Sequence, residues 1–116
     1  MVSEIRNDDY TMWYDTTSHT VICKGSFRLG GVAEYEPIVK LLDEAAAEHP
    51  EVLTLDLREL GFLNSSGINI LSKFVIQIRK LGNLKLVVLG SKKIPWQGKS
   101  LVNLQRLMPN LELIIE

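Results

Sequence analysis

The chain opens its patterned region with two short alternating runs. TMWYD (residues 11–15) and TVICKGSF (20–27) switch between apolar and polar positions around the turn-forming TTSH, which predicts a β-hairpin. From Ala33 to Glu48 the period changes. Ile38, Leu41, Leu42, Ala45 and Ala46 recur at helical spacing, and Pro37 suits the first turn, where its missing N–H leaves nothing unpaired. VLTLDL (52–57) and LKLVVLG (84–90) are nearly unbroken apolar runs, the pattern of parallel strands covered on both faces. Between them a helix is predicted from Ser65 to Arg79, with Ile68, Leu71, Phe74, Val75 and Ile78 as its apolar stripe. A third helix, Ser100 to Met108, uses Leu101, Leu104 and Met108, and LELII closes as the last strand. The order ββαβαβαβ predicts an α/β fold: a mixed, mostly parallel sheet with an N-terminal hairpin and helices packed on it. Residues 1–9 are expected to be a polar, frayed N-terminus, and residues 10–116 one domain.

Composition narrows the class. No stretch approaches the roughly 20 apolar residues of a membrane helix, and MVSEIRNDDY lacks the apolar block of a secretory signal, so the expectation is a soluble, cytoplasmic protein without a membrane partner. The single cysteine, Cys23, excludes an internal disulfide and a Cys-based metal site; its place in TVICKG predicts a small buried strand residue. Neither a metal nor a cofactor is expected. Charge is uneven: residues 1–60 hold 12 acids and 5 bases, residues 61–116 hold 2 acids and 8 bases. Solvated helix faces account for such a split, as do two faces of opposite sign offered to partners. The bases are scattered without interleaved aromatics, which argues against nucleic acid.

The junction FLNSSGIN, residues 62–69, carries the candidate chemistry. It joins a strand to a helix, the place where α/β sheets collect functional residues. Asn64 is a good N-cap, its side-chain oxygen accepting from an N–H two or three residues on. Ser65 and Ser66 then fall in the first helical turn. Gly67 lowers helix propensity by about 1 kcal/mol relative to Ala, and the reason read from sequence is access: a bare first turn lets a macromolecule approach the serine hydroxyls. The positive end of a helix also stabilises an added phosphate.

VLTLDLRELGFLNSSGINIL resembles the signature of the STAS family, the sulfate-transporter and anti-sigma-factor-antagonist domains, in which a strand ending in Asp leads to an Asp-Ser-Ser-Gly helix start. TVICKGSF is similar to the family's second strand with its closing glycine at Gly25, and IVKLLDEA and LKLVVLG fall where the next helix and the strand after the switch helix belong. The resemblance implies a bacterial partner-switching module acting in signal transduction and transcription regulation. In the antagonist branch the first serine of the motif is phosphorylated by a serine protein kinase of anti-sigma factor type; phosphate abolishes binding to that kinase, and a metal-dependent serine phosphatase restores it. Ser65 is the phosphoacceptor by position, with Ser66 second; Asn64, Ser66 and Gly67 form the switch loop and helix start. A constitutive, non-phosphorylated scaffold in a regulatory complex is the alternative. Three departures stand out: Asn64 replaces the motif Asp, Arg28 replaces an acid common after the second strand, and no C-terminal helix follows LELIIE, which leaves a face or edge near the last strand open to a further contact.

The remaining residues have narrower readings. Asp56 is expected to bond loop N–H groups or to contact a partner, and Arg58 to reach a phosphate on Ser65. KIPWQGKS (93–100) mimics a P-loop, but Lys93 stands where glycine is needed and Pro95 and Trp96 would crowd the loop. Ile94, Pro95 and Trp96 instead read as an apolar knuckle, packed under the third helix or offered to a partner. His19 in a turn and His49 at a helix end have no metal or triad spacing. With no convergent catalytic set, the chain is expected to be a substrate of enzymes and not itself an enzyme.

Overall fold

The alternating runs form the antiparallel pair β2 (Tyr10–Asp15) and β3 (Thr20–Phe27), with Met12 opposite Cys23 and Trp13 opposite Ile22. The computed structural model, which describes residues 4–31 and 33–116, places a further edge strand before them, β1 (Glu4–Arg6), paired antiparallel with β2. It lies inside the stretch expected to be frayed. Then follow α1 (Glu36–Ala47), β4 (Val52–Leu63), α2 (Ser65–Leu81), β5 (Lys85–Gly90), α3 (Pro95–Leu107) and β6 (Glu112–Ile115). β3 to β6 are parallel, and the six strands of the sheet lie side by side in sequence order. The α/β class and the mixed sheet are as the sequence predicts.

Because every crossover from β3 onward steps one strand in the same direction and with the same hand, all three helices fall on one face of the sheet. Ile38, Leu41 and Leu42 of α1, Phe74, Val75 and Ile78 of α2, and Leu101 and Leu104 of α3 merge with Met12, Cys23, Leu55, Leu86 and Val88 into one core. The expectation of parallel strands covered on both faces is therefore not met. On the other face Trp13, Ile22, Val87 and Leu89 are only half-buried and Ile114 is 37% exposed.

β4 runs six residues beyond the predicted end at Leu57. Arg58, Glu59 and Gly61 interrupt the apolar run and read as a loop, but two register irregularities against β3 absorb them, one between Ile22 and Lys24 and one between Gly25 and Ser26. Gly25 makes the second possible: its φ is +98°, and a Cβ there would lie 2.4 Å from the Asp9 carbonyl oxygen. β5 pairs with β4 only as far as Asp56, so the later β4 residues have no strand on that side. Side chains of α3 fill the gap. Gln97, fully buried, donates through Nε2 to the carbonyls of Leu57 (2.6 Å) and Leu60 (3.2 Å), and Trp96 Nε1 donates to Leu60 O (3.1 Å).

This corrects the reading of KIPWQGKS. The helix begins at Pro95 and not at Ser100, with proline in its first turn as its fixed φ allows. Gly98 misleads at sequence level; it sits within the helix, and a Cβ on it would project into open space with no atom within 4 Å. Among the described residues, no helix is long and apolar enough to cross a membrane, and no group of three His, Cys, Asp or Glu could hold a metal ion.

Candidate functional site

The protruding end of β4 delivers Leu63 and Asn64 to the carboxyl edge of the sheet, where α2 starts at Ser65. Asn64 is extended (φ −83°, ψ 177°), and its Oδ1 accepts from the Gly67 N–H at 3.0 Å, the N-cap bond expected from sequence. The amide does more than cap. Oδ1 also accepts from the Tyr35 hydroxyl at 2.6 Å, and Nδ2 donates to the Leu29 carbonyl at 2.8 Å. The backbone N–H of Asn64 donates to Phe27 O at 3.2 Å. One residue thus ties together the end of β3, the loop that follows it, the start of α1 and the start of α2.

These bonds account for asparagine in place of the motif Asp. Asn and Asp cap helices about equally well, but a carboxylate has no hydrogen to give Leu29 O and would set its charge against that carbonyl. Tyr35 escaped the sequence reading. It is fully buried at the N-cap of α1, and burial raises the pKa of its hydroxyl, with a backbone hydrogen bond near Leu29 opposing and Tyr10 adding to the rise. The signal was available in EYEPI: a tyrosine buried at a helix start must find a partner for its hydroxyl.

Gly67 needs a different explanation from the one predicted. It is buried, and a Cβ on it would meet Leu63 Cδ1 at 2.3 Å and the Tyr35 hydroxyl oxygen at 2.8 Å. The glycine lets the first turn settle onto Leu63 and Tyr35; it does not open a path to the serines. Ser65 is exposed in any case and Ser66 half-buried. Among the described residues neither hydroxyl makes a side-chain hydrogen bond, while the Asn64 cap leaves the first-turn dipole directed at them. Nearby, the Arg28 guanidinium lies over the exposed Phe62 ring, 4.7 Å from its centroid.

Asp56 and Arg58 stand elsewhere. Both lie on the sheet face opposite the helices, nine and seven residues before Ser65 in an extended strand. Asp56 accepts from the Arg58 backbone N–H (3.1 Å), Nε (3.0 Å) and Nη2 (2.8 Å), so it supports its own strand and no loop, and Arg58 is held away from Ser65. Partial burial pushes the Asp56 carboxyl up, but the hydrogen bonds and charge of Arg58, with Lys24, outweigh it and leave the pKa below the ordinary value. Trp96 is half-buried against Leu63, Ile68 and Leu71 in the seam between α2 and α3, so the knuckle packs beside the candidate helix start. A notch of about 170 Å³ between α1 and α2 is lined by Val39, Leu42, Ile70 and Phe74 with Asp43 and Lys73 at its rim. The exposed acids Glu36 and Glu48 flank α1, whereas Lys73, Arg79 and Lys80 lie on α2, so the uneven charge of the sequence becomes a boundary between neighbouring helices. Of the histidines, His19 Nδ1 meets the Tyr14 hydroxyl at 2.9 Å in the β2–β3 turn, and His49 is exposed.

No protein-family model and no curated protein matches the sequence. Solved structures do match the fold. The crystal structure of the diguanylate cyclase SiaD in complex with its activator SiaC from Pseudomonas aeruginosa contains a chain that superposes with TM-score 0.73 at 12% identity, over 97% of this chain and 96% of that one. SiaC of Pseudomonas aeruginosa gives TM-score 0.72 at 12% identity, over 99% and 98%. At this identity the likeness is one of fold.

Two tests follow from the geometry. Gly67→Ala is expected to destabilise by about 1 to 3 kcal/mol through overpacking, while Gly98→Ala, in open space on α3, stabilises by about 1 kcal/mol; denaturant unfolding in which both stabilise would refute the packing role. Since the folded pKa of Asp56 is depressed, its contribution is present above the unfolded value and is lost as pH falls through the folded one. The melting-temperature gap between wild type and Asp56→Asn should then be widest near neutrality and narrow below about pH 4, whereas a constant gap would contradict the ion pair.

Proposed function

We propose that this chain is a regulatory protein-binding module whose contact surface surrounds the start of α2, and that phosphate on Ser65 switches that contact. The observation that carries the reading is the junction itself: an exposed serine at the first position of α2, its hydroxyl free of side-chain bonds among the described residues, on a turn fixed by the Asn64 amide. A group that brings nearly two negative charges and three acceptor oxygens is favoured at that end of the helix, so the fold accepts it while a partner docked on Ser65 is displaced. The resemblance of NSSG and its flanks to the STAS signature supports a serine protein kinase and a metal-dependent serine phosphatase as the enzymes that add and remove the phosphate. The shared fold with SiaC, an activator found in complex with a diguanylate cyclase, supports a protein partner and extends the class of clients beyond sigma-factor regulators. In this reading the chain is acted on by enzymes and performs no catalysis of its own.

One observation favours the alternative of a constitutive scaffold. Both ends of the Asn64 amide are engaged, so no group at the motif's acidic position is free to orient the serine hydroxyl during transfer. Intact-mass analysis and site mapping on protein from its native cells separate the readings. The switch predicts a fraction carrying one phosphate on Ser65 that vanishes in Ser65→Ala, and weaker capture of its partner by Ser65→Asp. Phosphate mapped only to other residues overturns the site; no phosphate under any growth condition supports the scaffold.

A further inference from the structure

The uncovered face of the sheet has an order that Ser65 does not explain. Strand registers place Glu4, Trp13, Ile22, Asp56, Leu89 and Ile114 in one row across all six strands. Apolar pairs, Trp13 with Ile22 and Leu89 with Ile114, thus flank Asp56 and the Arg58 bound to it. Val87 adds a further apolar side chain one row away. Parallel strands are ordinarily buried on both faces, yet β3 to β6 leave this one to solvent, with all helices on the other side.

Charge says what fits. Two acids on this face each pair with a base two residues further along the same strand, Glu4 with Arg6 (2.8 Å) and Asp56 with Arg58 (2.8 Å). Lys24 pairs with Glu59 (3.0 Å) and Lys85 with Glu112 (3.0 Å), so no block of one sign selects a strongly charged partner. An acid-then-base step in two strands of the same sheet is self-complementary. A two-fold axis lying across the strands, between the levels of Asp56 and Arg58, sets Asp56 of each copy against Arg58 of the other and Glu4 against Arg6, and lays the two apolar rows side by side. Six strands about 4.8 Å apart, shortest at the β1 and β6 edges and averaging about 20 Å in length, present a face of about 24 by 20 Å, which with side-chain relief approaches the ~600 Å² per partner at the low end of stable interfaces.

We propose that the uncovered sheet face is a homodimer interface, in which two copies of this chain stack sheet against sheet in the aligned manner of a β-sandwich. The interface is independent of Ser65 and leaves the start of α2 of both copies outward, on the far side of each sheet. The test is sedimentation equilibrium from low micromolar to near-millimolar concentration, with far-UV circular dichroism as the check on folding. Wild type is expected to form dimers. Leu89→Lys weakens them at least about a hundredfold and Asp56→Arg or Arg58→Asp alone at least about tenfold, while the double reversal Asp56→Arg with Arg58→Asp restores association, because the reversed pair is self-complementary again. A wild-type chain that stays monomeric throughout overturns the proposal. Dimers indifferent to all of these changes overturn it too, since they would form through the β1 or β6 edge or another surface, and single charge variants that are not rescued by the double reversal overturn the two-fold arrangement.

Discussion

The Asn64 side chain holds the rest of the candidate site in place. A strand, two helix starts and a loop meet at the carboxyl edge of the sheet, each bringing backbone groups that would be orphaned there. The amide meets two of those needs and one side chain's: it accepts for α2 through Gly67 N–H, donates to Leu29 O beyond β3, and accepts from the Tyr35 hydroxyl at the start of α1. Losing the bond to Gly67 N–H or to Leu29 O leaves a buried or half-buried backbone group unpaired, a cost of about 1 to 3 kcal/mol, whereas the Tyr35 hydroxyl also has Phe27 O within reach at 3.2 Å. Gly67 follows from the same arrangement, since the turn can close on Tyr35 and Leu63 only where no Cβ intervenes.

The long fourth strand brings that joint to the surface. β4 outruns β5, and its unpaired edge is stabilised by Trp96 and Gln97 from α3, so the last helix supports the strand that positions the second. Gln97 Oε1 in turn accepts from Ser91 N–H at 2.6 Å, and Gly90 admits the amide, because a Cβ there would lie 2.8 Å from Oε1. A sequence that imitates a phosphate-binding loop is thus a bracket for a strand edge. The acids of α1 and the bases Lys73, Arg79 and Lys80 of α2 lie on the same layer, the bases eight to fifteen residues along α2 from Ser65.

How much was legible in the sequence depended on the range of the interaction. Periodicity located the central elements because burial of one face repeats along each, as in Ile38, Leu41, Leu42, Ala45 and Ala46 of α1. The Asn64 cap was readable because it acts three residues away. What escaped depends on neighbours distant in the chain: Tyr35 on Asn64, Gln97 on Leu57, and the bulges that carry β4 through Arg58 and Gly61. Gly67 was noticed as costly for a helix, but its reason lies in Tyr35, which no local pattern connects to it. Likewise the apolar runs of β4 and β5 suggested cover on both faces, although connections of one hand that all step in one direction supply helices to only one.

The proposed switch requires a preformed platform at this joint, one that accepts negative charge without refolding. Amide hydrogen exchange at Gly67, compared between the unmodified chain and the chain carrying phosphoserine at position 65, tests it most directly. Protection of the Gly67 N–H is predicted in the unmodified chain, with equal or greater protection once phosphate is present, as the added charge favours the helix start. A Gly67 amide that exchanges as freely as a loop amide, or that loses its protection when phosphate is added, would contradict it.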